Sequence, residues 1–161
     1  MVDVAKVFEE IKADEGTRNF AYLCTEAHAT IGCGHLILDT DPEFGLEVFD
    51  VNASNVPEEQ CISEDRIYEL FKEDIHSAID ACGVIYSNWD DLPEEAQHVL
   101  INMCFQLGPT GLENFKATNA AVEAQAWGQM ALEMVDSKWA RHQTPERANR
   151  LRDRILKLCE E

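Results

Sequence analysis

The sequence predicts an α+β fold, mostly helical and two-lobed, with a small β-hairpin lobe, a linking helix and a larger helical lobe. Three observations predict it. Apolar residues recur at helical spacing through most of the chain. One early stretch, Thr17 to Leu38, switches to strand-forming residues punctuated by glycine. A long amphipathic segment after Ser63 then separates that stretch from a helical remainder. At 161 residues and 45% hydrophobic composition, the chain can bury the core of one domain of ordinary size. Within it, the N-terminal α+β lobe covers about 13–62, the linking helix about 63–83, and the helical lobe about 84–161 together with the first helix. Two lobes on a hinge helix leave a groove, the kind of place where polymers bind.

The elements follow in order. Val4, Val7, Phe8 and Ile11 share one helical face, so a first helix runs to about Asp14 and Gly16 ends it. Phe20, Tyr22, Thr25, Thr30 and Ile31 favour strands, and Gly32 and Gly34 mark a tight bend, which together predict a small antiparallel sheet. Residues 39–60 carry Pro42, Gly45, Asn52, Asn55 and Pro57 and read as an irregular connection with room for a short strand or helical turn. Ser63 is a good N-cap ahead of Glu64 and Asp65; Ile67, Leu70, Phe71, Ile75, Ala78 and Ile79 continue the stripe until Gly83 stops it. Pro93 opens the next helix, whose segment Val99 to Phe105 is apolar nearly all round and reads as the central buried helix. Gly108-Pro109-Thr110-Gly111 is a turn, residues 118–135 have helical composition, and Thr144-Pro145 start a last helix ending near Leu158.

The formal net charge is −18, which argues against general binding to nucleic acid or to anionic membranes. Basic residues crowd the C-terminal segment at Lys138, Arg141, Arg147, Arg150, Arg152, Arg154 and Lys157, where ion pairs to the acidic body are expected. The longest apolar run is too short to span a membrane, and the acidic, amphipathic N-terminus MVDVAKVFEEIKADEG is unlike a secretory signal, so the chain is expected to be made in the cytosol. The six cysteines, Cys24, Cys33, Cys61, Cys82, Cys104 and Cys159, are scattered, with no Cys-x-x-Cys and no zinc-type spacing. Reduced thiols are expected, with those outside position 24 serving mainly as core fillers. Cys24, His28, Cys33 and His35 match no known metal-site spacing, so no metal is expected there.

The stretch EGTRNFAYLCTEAHATIGCGH, Glu15 to His35, sets a carboxylate, a thiol and a hydroxyl around one strand-and-turn segment. Eight residues separate Glu15 from Cys24 and five separate Cys24 from Thr30. Glycoside hydrolysis needs a proton donor for the leaving oxygen and a second group that activates water or attacks the sugar. The spacing of glutamate, eight residues, aspartate or cysteine, five residues, threonine resembles that of the phage-type lysozymes, glycoside hydrolase family 24, in particular its T-even bacteriophage members. Three further blocks agree: Phe71-x-x-Asp74; Leu100-Ile101-Asn102-Met103-x-Phe105-Gln106-x-Gly108-x-Thr110-Gly111; and Trp139 with Gln143-Thr144-Pro145-x-Arg147-Ala148. The resemblance covers nearly the whole chain.

It implies a lysozyme-like fold and a muramidase that cleaves the β-1,4 bond between N-acetylmuramic acid and N-acetylglucosamine in bacterial peptidoglycan, with inversion and without metal or cofactor. By resemblance Glu15 is the general acid, Thr30 holds the hydrolytic water, and Cys24 takes the second catalytic position, as general base or as an anion stabilising the transition state. Gly34, Leu36, Phe105 and Gln106 would line sugar sites, Arg147 would pair with Glu15, and His35 with Asp74 would form a structural ion pair. The partner implied is peptidoglycan, met by a monomer that is made in the host bacterial cytoplasm and acts on the periplasmic wall after holin-dependent release. A catalytically weak peptidoglycan-binding domain on the same fold is the alternative, since position 24 holds a thiol and the chain is acidic. The thiol's ionisation is open at this point: overall negative charge would raise its pKa, while Arg18 or His35 could lower it.

Overall fold

The computed structural model describes residues 2–160, the side chains of residues 142 and 143 excepted, so the Gln143 side chain of the last sequence block lies outside the described residues. Helix α1 spans Val4–Glu15, followed by strands β1 (Arg18–Leu23), β2 (Ala29–Gly32), β3 (His35–Leu36) and β4 (Val48–Phe49). Then come helices α2 (Glu64–Ile85), α3 (Glu94–Glu113), α4 (Lys116–Glu123), α5 (Trp127–Val135) and α6 (Pro145–Lys157). The fold is α+β and mostly helical, as the sequence predicts. The chain divides into two compact units, Ala5–Asp74 and Met1–Val4 with Ile75–Glu161, and α2 contributes its first half to one and its second half to the other.

In the unit Ala5–Asp74 the sheet has the order β3-β2-β1-β4. β1, β2 and β3 pair antiparallel in succession, with Tyr22 opposite Thr30 and Ile31 opposite His35. The sequence predicts antiparallel pairing alone, but β4 joins β1 in parallel, Ala21 beside Val48. The long connection after β3 makes this possible, because a parallel neighbour needs a return crossing that a hairpin cannot provide. That connection also supplies a 3-10 turn at Glu58–Gln60. The first helix belongs here from Ala5 onward, not with the helical unit as its expected lobe assignment has it. The reason is aromatic packing: Phe8 meets Phe71 edge-on at 4.5 Å and Tyr68 at 4.9 Å, both on the first half of α2.

Ser63 caps α2 as its position predicts, its Oγ accepting from the Arg66 N–H at 3.1 Å. Gly83 does not end the helix. It keeps a helical backbone, and α2 continues to Ile85, with the Tyr86 N–H still donating to the Cys82 carbonyl at 2.9 Å. A glycine stops a helix only when it takes up the left-handed conformation, and Gly83 is absent from the positive-φ residues.

The unit containing Ile75–Glu161 is built around Tyr86, Leu100, Ile101, Met103, Met130 and Met134, all fully buried. The segment Val99 to Cys104 is buried throughout, as its all-round apolarity predicts. Gly108, at φ 78 and ψ 163, breaks α3 ahead of Pro109, so the predicted turn is a break followed by one more helical stretch. The helical composition of residues 118–135 resolves into two helices. Gln125 sits at φ 50, the Ala126 N–H reaches the Ala121 carbonyl at 2.9 Å, and the Gln125 N–H reaches that of Val122 at 3.0 Å. This is a Schellman ending built on glutamine, with no glycine to announce it.

The cysteines are free. Cys82 and Cys104 are buried, and the neighbouring Cys104 thiol together with burial raises the Cys82 pKa. Cys159 is exposed, so it is not a core filler. The basic C-terminal residues pair as expected: Arg154 with Glu95, Arg152 with Asp153, and Arg141 with Asp136.

Candidate functional site

Glu15 is the last residue of α1, and its placement is set by the residue after it. Gly16 adopts φ +71 and its N–H donates to the Lys12 carbonyl at 2.8 Å, an αL ending that turns the chain into β1. The Glu15 carboxyl then lies against the turn between β2 and β3. A Cβ built on Gly34 would stand 3.4 Å from the Glu15 Cγ, Cδ and Oε2 atoms, and Gly34 itself is at φ +71. Two constraints therefore meet at Gly34, a left-handed backbone and a carboxyl packed on its Cα, and only glycine satisfies both.

Cys24 and Thr30 belong to the other hairpin end, β1 to β2. The Cys24 N–H donates to the His28 carbonyl at 2.9 Å, the Ala27 N–H to the Cys24 carbonyl at 2.9 Å, and Ala27 takes φ 62 to close the turn. The same turn aims an amide at the sulfur: the His28 N–H lies 3.4 Å from Cys24 Sγ. The Thr30 hydroxyl donates to the His28 carbonyl at 2.9 Å. Partial burial pushes the Cys24 thiol up. The His28 and Glu26 amides and the Thr30 hydroxyl outweigh it, and the thiol ionises below its ordinary range. The cations expected to act on it are engaged elsewhere: Arg18 donates to the carbonyls of Val51 at 2.8 Å and Thr17 at 3.0 Å, and His35 is held by carboxylates.

Tyr22, quoted from the sequence only as a flanking match, links the two ends. It is buried, it pairs with Thr30 across the sheet, and burial followed by the negative charge of Glu15 raises its phenol pKa, with smaller contributions from Cys33 and Cys24. A strand position flanked by the acid and the thiol was legible in the motif, but only pairing in register shows that one phenol feels both.

His35 is buried and bracketed. Its Nδ1 lies 2.7 Å from Asp74 Oδ2, the pair that the resemblance implies, and its Nε2 lies 2.7 Å from Asp41 Oδ2, which the sequence reading did not foresee. Burial lowers the imidazole pKa, but the hydrogen bonds and charges of Asp74 and Asp41 prevail and push it up to about 9. Asp41 in turn is held below the ordinary carboxylate range: burial opposes this, while the Leu38 N–H at 2.8 Å and His35 carry it. Leu36, opposite Thr30 on β3, is exposed.

Phe105, Gln106 and Arg147 belong to the helical unit. Phe105 is half-buried there. Gln106 is oriented at both ends of its amide: its Oε1 accepts from Trp139 Nε1 at 2.9 Å and its Nε2 donates to Thr144 Oγ1 at 3.1 Å. Thr144 thus spends its hydroxyl on Gln106 and not on capping α6. Arg147 is buried, and its Nε donates to Asn102 Oδ1 at 2.8 Å. Among the described residues no group of three or more His, Cys, Asp or Glu side chains could hold a metal ion.

The family model described as phage lysozyme matches residues 12–154. A probable T4-type lysozyme 1 of Dictyostelium discoideum is 32% identical over 92% of both chains, and a probable T4-type lysozyme 2 of the same organism is 27% identical over the same shares. The pre-baseplate central spike protein Gp5 of Enterobacteria phage T4 is 30% identical over 92% of this chain and 27% of its own length.

Proposed function

The chain belongs to the phage lysozyme family, and on that footing we propose that it is a muramidase hydrolysing the β-1,4 bond between N-acetylmuramic acid and N-acetylglucosamine in peptidoglycan. The observation that carries the catalytic assignment is the turn through which His28 engages both Cys24 and Thr30 on one hairpin, in the unit where Glu15 is held against Gly34. Glu15 donates its proton to the leaving oxygen as the glycosidic C–O bond breaks. A water positioned by Thr30 attacks the anomeric carbon from the opposite face and gives its proton to Cys24, and the anomeric configuration inverts. Proton exchange with solvent then restores the acid and the thiolate. We place the enzyme in host cell lysis, made in the bacterial cytoplasm and reaching the periplasmic wall after holin-dependent release; the family's phage description supports that setting.

Inversion has a direct readout. Proton NMR of glycan strands during cleavage is expected to show new reducing ends first as the α anomer, with the β anomer growing in only by mutarotation. Initial release of the β anomer would mean a retaining, double-displacement route.

The thiol at position 24 sets the pH dependence. The base must be anionic; an ordinary thiol ionises at ~8.5 against ~4 for a carboxylate, and the turn amides lower the Cys24 value from that starting point. Replacing Cys24 by Asp, which ionises near ~4, is expected to move the optimum down by roughly one pH unit or more, with the largest gain in rate below pH 6. Superimposable pH–rate profiles for wild type and Cys24→Asp would show that position 24 does not titrate in the reaction. The competing reading, a peptidoglycan-binding domain with little catalysis, draws on the same thiol. It requires a Glu15→Gln protein to do everything the wild type does.

A further inference from the structure

We propose that the loop after β3 forms an additional subsite for the glycan strand, in which the exposed Phe44 ring, continued by Leu38 and Leu36, takes the apolar face of a neutral N-acetylhexosamine. The inference rests on the muramidase reading and extends it from Leu36, to which the resemblance already gives a sugar site, to Leu38 and Phe44, which the sequence motifs do not touch. Leu36, Leu38 and Phe44 are 49%, 54% and 63% exposed, a run of large apolar side chains left in water.

The patch begins at the candidate site. Leu36 is the cross-strand partner of Thr30, and the Ile37 N–H extends the pairing to the Ala29 carbonyl at 3.0 Å. Leu36 and Leu38 therefore stand two apart on one extended segment and project to the same side. From Leu38 the chain reaches Phe44 through two successive hydrogen-bonded turns, Asp41 N–H to the Leu38 carbonyl and Phe44 N–H to the Asp41 carbonyl, each at 3.0 Å.

The display is rigid. On one side of Pro42, Asp41 is fixed by His35 and by the Leu38 N–H. On the other, Glu43 is 5% exposed and gripped by Arg66, whose Nη2 lies 2.8 Å from Oε1 and whose Nε lies 3.2 Å from Oε2. Phe44 is the next residue. Two part-buried ion pairs hold in place a turn that presents an aromatic ring outward, so its ordering cost is met on folding and not on binding.

The chemistry selects the occupant. A flat aromatic face attracts the weakly positive axial C–H groups of a pyranose, and exposed Asp39 and Thr40 offer acceptors to sugar hydroxyls. The chain's charge of −18, with Asp39 and Glu47 flanking the turn, disfavours carboxylate-bearing stem peptides at this place.

Titration calorimetry in a Glu15→Gln background, which leaves strands intact, tests the subsite with peptidoglycan glycan oligomers of defined length stripped of stem peptides. Phe44→Ala is expected to weaken the longer oligomers about tenfold and leave the shortest binding oligomer unchanged, and Phe44→Trp to restore affinity. Equal affinities for Phe44→Ala and its parent at every length would overturn the proposal, as would a deficit confined to stem-bearing strands, which would put peptide where we place sugar. Wild-type protein that fails to cleave the same oligomers while binding them through Phe44 would refute the hydrolase and leave the subsite standing.

Discussion

Glu15→Gln is expected to lower glycan cleavage about a thousandfold while leaving the fold and the affinity for sacculi intact. Glutamine keeps the volume of the glutamate and an oxygen in place of one carboxylate oxygen, so the packing on Gly34 survives. What it lacks is the acidic proton for the leaving oxygen. The expected signature is a fall in kcat with nearly unchanged binding, the pattern of a group that acts in the transition state. Retention of a tenth or more of wild-type activity, in protein with an unchanged melting temperature, would remove Glu15 from the role of acid.

His35→Asn is expected to be the most destabilising polar substitution in the unit Ala5–Asp74, and its cost should depend on pH. The imidazole ionises near 6.5 in an unfolded chain and near 9 between Asp41 and Asp74. That interval corresponds to roughly 3 kcal/mol, shared between the two aspartates. The sign follows from a raised folded value: the stabilisation is complete below about pH 6.5, declines above it and is lost as pH passes about 9. On the acid side, the lowered pKa of Asp41 makes its contribution present above the ordinary carboxylate value and lost as pH falls through the folded one. Urea denaturation at pH 5.5 and pH 9.5 should therefore show a large penalty for His35→Asn at the lower pH and a small one at the higher. A penalty of the same size at both would mean that His35 matters through packing alone.

Much of this was legible in the sequence because the signals are local. A serine followed by two acids caps α2, Pro93 precedes α3, and the eight-and-five spacing from Glu15 marks the hairpin without reference to any distant residue. What escaped depends on partners far along the chain or on backbone states that composition does not encode. Asp41 looks like one more acid in an acidic loop until the turn at Leu38 carries it to His35. Gln125 takes a left-handed backbone that sequence rules reserve for glycine or asparagine, so one predicted helix is two. Gly83 carries the opposite lesson, a glycine that remains helical. In sequence, overall charge and nearby cations leave the direction of the Cys24 pKa open; it is lowered chiefly by the amides of a tight turn, which every residue possesses and no sequence motif displays.

On the proposed function, this chain cuts peptidoglycan glycan strands as a muramidase. Muropeptide analysis of purified sacculi after incubation with the reduced protein, beside the Glu15→Gln variant, tests it most directly. The expected result is new reducing ends on N-acetylmuramic acid in the wild-type digest and intact strands with the variant. New ends on N-acetylglucosamine, or intact strands in both digests with the protein still sedimenting with the sacculi, would contradict it.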